Sequence, residues 1–214
     1  MKKAFKIFVL VFLLASQVVF AQSDSEKAQS TFEKANVFAK QGNHKLAIEY
    51  FQKSYVYEAA DGTAYNLGLD YEAIKDYSNA LKWYKKSFKL GKVEGGVNAG
   101  YLYETQYKNY QKAIKWYKKA ISKGNLDAYN NIAILYHDIK KDNVTASAYY
   151  LATIGRSYSR KVMLNFLRNN WKINEKTLLK AYILQKKLIP NPYLDPEFEA
   201  KIPAPHRNRR GIGR

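Results

Sequence analysis

The stretch Ala80–Lys86, which reads ALKWYKK, returns almost unchanged 33 residues later as AIKWYKK at Ala113–Lys119. One step back along the chain gives AIEYFQK from Ala47, and one step forward gives ASAYYLA from Ala146. A fixed period of this length is typical of an architecture of stacked repeats. The sequence therefore predicts a 33-residue unit that occurs four times.

In every copy the alanine is followed, three and four residues later, by two aromatic side chains. The pairs are Tyr50-Phe51, Trp83-Tyr84, Trp116-Tyr117 and Tyr149-Tyr150. Positions i, i+3 and i+4 lie on one face of a helix, so each copy predicts a helix with one small and two bulky side chains on its buried face. The small residue lets a neighbouring helix approach closely. We interpret the tryptophans as core packing rather than as a platform that stacks bases or sugars.

The positions of proline and glycine define the limits of the helical part. All five prolines lie within residues 190–205, so no proline interrupts a helix before that segment. Gly91 and Gly124 each follow a predicted helix, where glycine adopts the left-handed conformation without steric cost. We predict four helix-turn-helix repeats over residues 25–155, a capping helix pair outside the repeat register over 156–189, and a Pro-containing basic tail over 190–214.

The repeats resemble the tetratricopeptide repeat (TPR). Phe38–Ser54, FAKQGNHKLAIEYFQKS, is similar to the second half of its consensus, and Ala64–Tyr71, AYNLGLDY, is similar to the first half. Lys82–Glu104 and Lys115–Asp138 look more like the related Sel1-like repeat, in which a glycine-containing turn replaces proline. The resemblance covers residues 25–155. It departs from the family pattern because the first repeat lacks the Asn-Leu-Gly signature and no proline separates the repeats.

The resemblance implies an all-α fold, an α-solenoid of helix-turn-helix repeats wound into a superhelix, with a C-terminal capping helix pair. It also implies that a protein or peptide segment binds in a concave groove lined by the first helix of each repeat. The family implies no chemistry and no cofactor of its own.

Alignment of the first helices predicts which residues would contact such a partner. Aligning Gly68, Gly100 and Ala133 places Asn66, Asn98 and Asn131 at equivalent positions. The other candidate partner-binding residues are Tyr65, Leu69, Tyr101, Glu72, Glu104 and His137. An asparagine amide both donates and accepts, so it can pair with the backbone of an extended peptide. The alternative is that these asparagines only make local hydrogen bonds or caps.

Residues 1–21 are predicted to be a secretory signal peptide. Lysines precede the apolar run Ile7–Leu14, and Val19-Phe20-Ala21 supplies small residues at both recognition positions, so we expect cleavage after Ala21. The alternative is an uncleaved anchor, although residues 7–21 are fewer than the ~20 that a spanning helix needs. The protein is then exported to the periplasm or the cell exterior, with no transmembrane segment after cleavage.

The chain is basic, with a formal net charge of +18. We expect Lys85, Lys86, Lys118 and Lys119 on the solvated face of the second helices. The tail adds Arg207, Arg209, Arg210 and Arg214, which we predict to contact an anionic surface such as peptidoglycan, glycolipid or polysaccharide. Specific nucleic-acid binding is not expected, because the sequence holds no recognition-helix or RNA-binding motif.

The residues argue against an enzyme and against a metal centre. The chain has no cysteine, which excludes a disulfide framework, a thiolate zinc site and a thiol nucleophile. His44, His137 and His206 lack the spacing of paired metal ligands, and no nucleophile-elbow or phosphate-loop motif occurs. Asn143-Val144-Thr145 matches a glycosylation sequon, but we interpret Asn143 as a helix N-cap.

The sequence thus predicts a non-catalytic scaffold of the cell envelope that binds a protein or peptide. The alternative is an envelope structural protein attached to an anionic surface polymer by its basic face and tail. Salt distinguishes the two, because polymer binding should weaken steeply as ionic strength rises, whereas a peptide bound in a groove should persist.

Overall fold

The structure is a computed structural model, and it describes residues 23–188. The predicted signal peptide and the predicted tail, with its four arginines, lie outside the described residues, apart from the start of the mature chain and the end of the last helix.

Within residues 23–188 the chain is all-α, as the period predicts. The helices are α1 (23–40), α2 (His44–Tyr57), α3 (Asp61–Ala73), α4 (Tyr77–Leu90), α5 (Val93–Thr105), α6 (Tyr110–Ser122), α7 (Asp127–Ile134), α8 (Asn143–Leu151), α9 (Arg160–Asn165) and α10 (Glu175–Leu188). A π-helical turn, Leu135–Ile139, continues α7, and a second one, Phe166–Asn170, continues α9. Helix α8 ends earlier than the predicted Gly155, whose backbone N–H donates instead to the carbonyl of Tyr158 at 2.8 Å.

The chain divides into two compact units, residues 1–116 and 117–214, with the boundary inside α6. We call them the N-terminal unit, described from residue 23, and the C-terminal unit, described to residue 188. The N-terminal unit holds the first two repeats and most of the third. The C-terminal unit holds the fourth repeat and the terminal helices.

The N-terminal unit contains two layers of helices. In the layer of first helices, the amide of Asn66 on α3 donates to the side-chain oxygen of Asn36 on α1 at 3.4 Å. In the layer of second helices, the ring of Tyr55 on α2 packs edge-on against Trp83 on α4, with 4.9 Å between ring centroids. Equivalent helices of successive repeats are therefore neighbours, as expected for stacked hairpins.

The recurring alanine lies in the core of every repeat. Ala47, Ala80, Ala113 and Ala146 have no exposed surface. The second aromatic of each pair is also buried, but Trp83 and Trp116 are only half-buried. The prediction that both aromatics share one buried face is therefore wrong for the tryptophans. Their ring positions point along the layer toward the next second helix, as the contact between Trp83 and Tyr55 shows.

Two serines one period apart connect the two layers. The hydroxyl of Ser54 donates to the carbonyl of Ala28, and the hydroxyl of Ser87 donates to the carbonyl of Asp61, both at 2.9 Å. Each bond joins the second helix of a repeat to the start of its own first helix. The buried hydroxyls are thereby satisfied, which avoids the cost of an unpaired buried polar group.

The turn between the two helices of each repeat follows the same period. Gly42, Lys75, Lys108 and Lys141 have φ values of 76°, 62°, 49° and 56°. The next residue in each turn is an N-cap whose side chain accepts a backbone N–H bond: Asn43, Asp76, Asn109 and Asp142. The predicted N-cap Asn143 is therefore wrong by one residue, because the period places the cap of α8 at Asp142 and leaves Asn143 as the first helical residue.

The turn after α5 holds one residue more than the turn after α3. The backbone N–H of Asp76 donates to the carbonyl of Tyr71, five residues back, whereas that of Asn109 donates to Tyr103, six residues back. The extra residue accounts for a step of 32 rather than 33 residues between the aligned glycines of the first helices. The alignment used to choose candidate residues is consistent with this geometry.

In the C-terminal unit the last helix packs against the fourth repeat. Helix α10 lies against α8 and buries Leu178, Ala181 and Tyr182. Asn174 caps α10, as predicted, and accepts the backbone N–H of Thr177 at 2.9 Å. The apolar face of α10 therefore covers a surface of the fourth repeat that would otherwise be open to water.

Candidate functional site

The candidate ligand surface of the N-terminal unit is the exposed side of α1, α3 and α5, which we call the first-helix face. The predicted residues on it are Tyr65, Asn66, Leu69 and Glu72 of α3 and Asn98, Tyr101 and Glu104 of α5. Contacts between neighbouring first helices bring these residues together on one surface.

The asparagines of this face are half-buried and join successive repeats. Besides the bond from Asn66 to Asn36, the amide of Asn98 donates to the hydroxyl of Tyr65 at 3.2 Å. Each amide thus spends a donor on the neighbouring first helix. Their pairing with a peptide backbone stays a prediction, and the structure adds a second role in fixing the spacing of the helices.

A buried tyrosine of the second-helix layer organises the same polar group. The hydroxyl of Tyr84 donates to Oε2 of Glu72 at 2.6 Å, and Asn98 also hydrogen-bonds this hydroxyl. Burial, and next the Glu72 carboxylate, raise the pKa of Tyr84 far above its usual value, so the phenol stays protonated and keeps donating. Glu72, Tyr84, Asn98 and Tyr65 therefore form one hydrogen-bonded network behind the face.

Exposed apolar side chains stand beside this network. Leu69 is 42% exposed and Tyr101 is 49% exposed, and each follows the aligned glycine of its first helix by one residue. Glu104, one turn beyond Tyr101, is half-buried. Such a surface can bury apolar area against a ligand while its position is fixed by the polar bonds behind it.

The remaining groove candidates lie in the C-terminal unit and are considered by themselves. Asn131 is half-buried on α7. The ring of His137 stacks on Trp171, with 3.9 Å between centroids and 11° between planes, and its Nδ1 lies 2.6 Å from Oδ1 of Asp138. Trp171 comes from the segment before α10, so the terminal part of the chain covers one face of the His137 ring.

The predicted solvated lysines divide into two groups. Lys118 and Lys119 are exposed, but Lys85 and Lys86 are half-buried against aromatic rings. The ammonium of Lys85 donates to the hydroxyl of Tyr103 at 2.7 Å, and that of Lys86 lies 4.3 Å from the centroid of Trp83. The prediction of a fully solvated face is therefore wrong for these two, because the half-buried aromatics offer cation–π partners.

A shallow depression of ≈490 Å³ lies on α4, on the second-helix layer. Its lining residues are Ser78, Leu81, Lys82, Lys85, Lys86 and Lys89. The depression concentrates positive charge on the described part of the chain, in addition to the tail arginines Arg207, Arg209, Arg210 and Arg214, which lie outside it.

Sequence reasoning missed two contributors to the first-helix face. Asn36 was not identified because the first repeat lacks the Asn-Leu-Gly signature, although a step of 33 residues back from Leu69 reaches it. Tyr84 was assigned to the core from its spacing, and nothing in the sequence indicated that its hydroxyl would reach Glu72 on another helix.

The described residues contain no group of three or more histidine and acidic side chains that could hold a metal ion. Among the helices that the structure describes, none has the length and apolar character needed to cross a membrane.

Comparison with known proteins identifies the repeats. The Sel1 repeat family matches residues 57–92 and 97–125, and a tetratricopeptide repeat family matches residues 28–55. This chain is a repeat protein of the tetratricopeptide and Sel1 type. The two kinds of match occupy the parts of the chain for which the residues themselves suggested each kind of repeat. Proteins built from such repeats are typically non-catalytic scaffolds that bind protein partners.

Solved structures share the fold. The crystal structure of MamA is similar with a TM-score of 0.53 and 21% sequence identity, covering 71% of this chain and 85% of that chain. The crystal structure of a Sel1 repeat protein from Oxalobacter formigenes is similar with a TM-score of 0.52 and 23% identity, covering 75% and 72%. Both confirm an all-α helical repeat solenoid. No curated protein sequence matches the chain.

Proposed function

We propose that this TPR- and Sel1-type repeat protein is an exported, non-catalytic scaffold of the cell envelope that binds a protein or peptide segment on its first-helix face. The observation that carries the proposal is the pair of exposed side chains Leu69 and Tyr101 at one position in consecutive repeats. Two apolar anchors in register on neighbouring helices suit a ligand that crosses several repeats.

The spacing of the anchors supports a peptide ligand. Neighbouring helices pack roughly 8–10 Å apart, which corresponds to about three residues of an extended strand or two turns of a helix. The bonds from Asn66 and Asn98 hold the first helices together before any ligand arrives. A pre-ordered surface loses less entropy on binding, so two anchors can suffice for specific recognition.

The charge of the face favours a segment with basic residues around its apolar anchors. Glu72 and Glu104 lie one turn beyond Leu69 and Tyr101 on the same helices. A lysine or arginine of the partner can therefore approach a carboxylate while its apolar neighbours cover the two anchors.

The proposal of export rests on the sequence of residues 1–21, a positive start followed by an apolar run and a small-residue end. The N-terminal residue of the protein recovered from its own cells tests this part separately. We expect Gln22 as the first residue, and recovery of an intact Met1 terminus would contradict cleavage.

The binding proposal is tested by moving the same charge between two surfaces. Leu69→Asp with Tyr101→Asp should abolish capture of the partner from an envelope extract, because both anchors become charged. The matched control is Val56→Asp with Leu90→Asp, since these side chains are also exposed, 82% and 43%, but lie on second helices. A partner that is lost with both pairs, or only with the control pair, would contradict binding on the first-helix face. Circular dichroism of both variants checks that they fold.

The second candidate function is attachment to an anionic envelope polymer such as peptidoglycan, glycolipid or polysaccharide. The depression lined by four lysines of α4 supports it, together with the arginines of the tail. Polymer binding should fall steeply between low and moderate salt and should be lost on deletion of residues 201–214, which should spare peptide capture. Capture that is insensitive to salt and to the deletion would exclude this candidate.

A further inference from the structure

The turns inside the repeats carry a pattern that peptide binding does not use. In the N-terminal unit, an exposed apolar side chain directly precedes an exposed lysine in two successive turns, Ile74-Lys75 and Tyr107-Lys108. Ile74 is 37% exposed and Tyr107 is 45% exposed. We call these two residue pairs the turn edge of the N-terminal unit.

The turn itself does not require a lysine. Gly42 occupies the equivalent position of the first repeat and adopts the same positive φ without a side chain. Side chains with a Cβ are uncommon in this conformation, and those found there are enriched in asparagine, aspartate and histidine rather than lysine. A lysine held in an unfavourable conformation at the same place in successive repeats indicates that its side chain has a use outside the turn.

The lysine side chains of the turn edge have no partner within residues 23–188. Lys75 and Lys108 are exposed, and neither ammonium makes a hydrogen bond, ion pair or ring contact in the described part of the chain. In contrast, Lys85 and Lys86 of α4 lie against aromatic rings. The two positive charges of the turn edge therefore face outward, beside two apolar side chains.

Both turns lie at the same edge of the N-terminal unit. Each joins the first helix of a repeat to its second helix, and the two hairpins, α3–α4 and α5–α6, stack in the same direction. Neighbouring helices are roughly 8–10 Å apart. The edge thus presents two apolar groups and two ammonium groups side by side on a line.

We propose that the turn edge of the N-terminal unit binds the surface of an anionic lipid bilayer. Lysines near such a surface are attracted by the negative headgroups, and adjacent apolar side chains can enter the boundary between headgroups and acyl chains. A soluble polyanion would use the lysines but would leave Ile74 and Tyr107 exposed to water. The bilayer is the one surface that satisfies both kinds of side chain.

The C-terminal unit repeats the same chemistry independently. Its turn after α7 reads Ile139-Lys140-Lys141, with Ile139 45% exposed, both lysines exposed and Lys141 at a φ of 56°. A third occurrence at the period of the repeat makes a chance pairing of apolar residue and lysine a poor explanation.

The test removes the charges without disturbing the turn. Lys75→Gly with Lys108→Gly keeps the positive φ, so the variant should melt no lower than the parent protein. Its partition onto vesicles of phosphatidylcholine and phosphatidylglycerol in equal parts should fall about 25-fold, because each lysine near an anionic surface contributes about a factor of five. The charge-matched control, Lys82→Ala with Lys115→Ala on exposed helix positions, should bind as the parent does.

The protein in these measurements is the form that its own cell produces, and cosedimentation at low salt gives the partition. Ile74→Ser with Tyr107→Ser should also weaken vesicle binding and leave binding to dextran sulfate unchanged. Equal loss in the glycine variant and the charge-matched control would overturn the assignment to the turn edge. An unchanged affinity of the serine variant for vesicles would show a polyanion site instead, and absence of any vesicle binding by the parent would overturn the proposal outright.

Discussion

At the scale of single residues, the size of one side chain decides how closely α3 can approach α4. Gly68 lies under the ring of the buried Tyr84, and a Cβ at this position would overlap the Cδ1 atom of that ring. We expect Gly68→Ala to lower the free energy of unfolding by about 1–3 kcal/mol, because the ring must move in a packed core. Urea denaturation measures the effect.

The matched control for Gly68→Ala is Gly62→Ala in the same helix. Nothing lies within 4 Å of a Cβ built at Gly62, so this variant should be neutral or up to about 1 kcal/mol more stable. An equal loss of stability in both variants would show that the close packing against Tyr84 is not the cause.

Asn98 and Tyr65 provide a second test at this scale. Their hydrogen bond joins α5 to α3, so Asn98→Ala and Tyr65→Phe should each lower stability, and the double variant should cost less than the sum. A double-mutant cycle in urea should give a coupling energy of about 0.5–1.5 kcal/mol. Strictly additive losses would contradict the bond between the two first helices.

The sequence predicted burial better than it predicted side-chain partners. The spacing of Ala47, Ala80, Ala113 and Ala146 was enough to place them in the core, because an alanine at a helix crossing depends only on its own helix face. The positions of Lys85 and Lys86 over rings could not be predicted. Their aromatic partners include residues of neighbouring helices, and the distance between those helices is not written in the local sequence.

At the scale of the helices, the caps show what a period can predict beyond packing. Asp142 accepts the backbone N–H of Thr145 at 3.0 Å, whereas Asn143 is exposed on the first turn of α8. We expect Asp142→Ala to destabilise the protein by about 0.5–2 kcal/mol, because it removes the cap. Asn143→Ala is the control and should change stability little. A larger loss in Asn143→Ala, measured by thermal or urea unfolding, would restore Asn143 as the cap.

The caps also explain why the helix boundaries were predicted with different success. The start of α4 and the start of α10 follow a residue with an unambiguous acceptor and no competing neighbour. At α8 the adjacent Asp142 and Asn143 are both good N-caps, and only the 33-residue step from Asp76 and Asn109 separates them. The sequence contained that information, but local propensity alone could not use it.

Helix α8 gives a prediction for alkaline pH. Burial raises the pKa of Tyr149 and of Tyr150 from 10.0 to about 12. The folded state therefore holds these protons more tightly than the unfolded state. Their contribution is complete below pH 10 and is lost as pH rises through about 12, on the order of 2 kcal/mol for each residue.

The double variant Tyr149→Phe and Tyr150→Phe should therefore lose less stability than the parent protein between pH 10 and 12. Equilibrium unfolding in urea at several pH values measures the difference. Tyr107→Phe, at a side chain that is 45% exposed, is the control and should follow the parent curve. If the double variant follows it too, burial of the two tyrosines does not govern alkaline stability.

At the scale of the whole molecule, the positive charge is distributed unevenly along the chain. Residues 23–116 hold fourteen lysines and eleven acidic residues, a net charge of +3. Residues 117–188 hold fourteen lysines and arginines and only four acidic residues, a net charge of +10. The part of the chain that contains α7 to α10 therefore dominates attraction to polyanions, rather than the tail alone.

The fold of the whole molecule was predictable because it is written four times. Each copy of the unit supplies the same small residue, aromatic pair and turn, so errors in one copy are corrected by the others. The candidate site was less predictable, because it depends on positions where the copies differ. Leu69 and Tyr101 are exposed at one position of the unit, but Asn36 occupies it in the first repeat, and the network through Tyr84 forms between helices.

The central claim is that the first-helix face binds the partner. A photoactivatable benzoyl-phenylalanine in place of Tyr101 tests it in the producing cell, with the same residue in place of Tyr57 as the control. The two tyrosines are similarly exposed, 49% and 42%, but Tyr57 ends a second helix. Irradiation should give a discrete cross-linked product from position 101 and none from position 57. A product from position 57 alone, or equal products from both, would contradict the account.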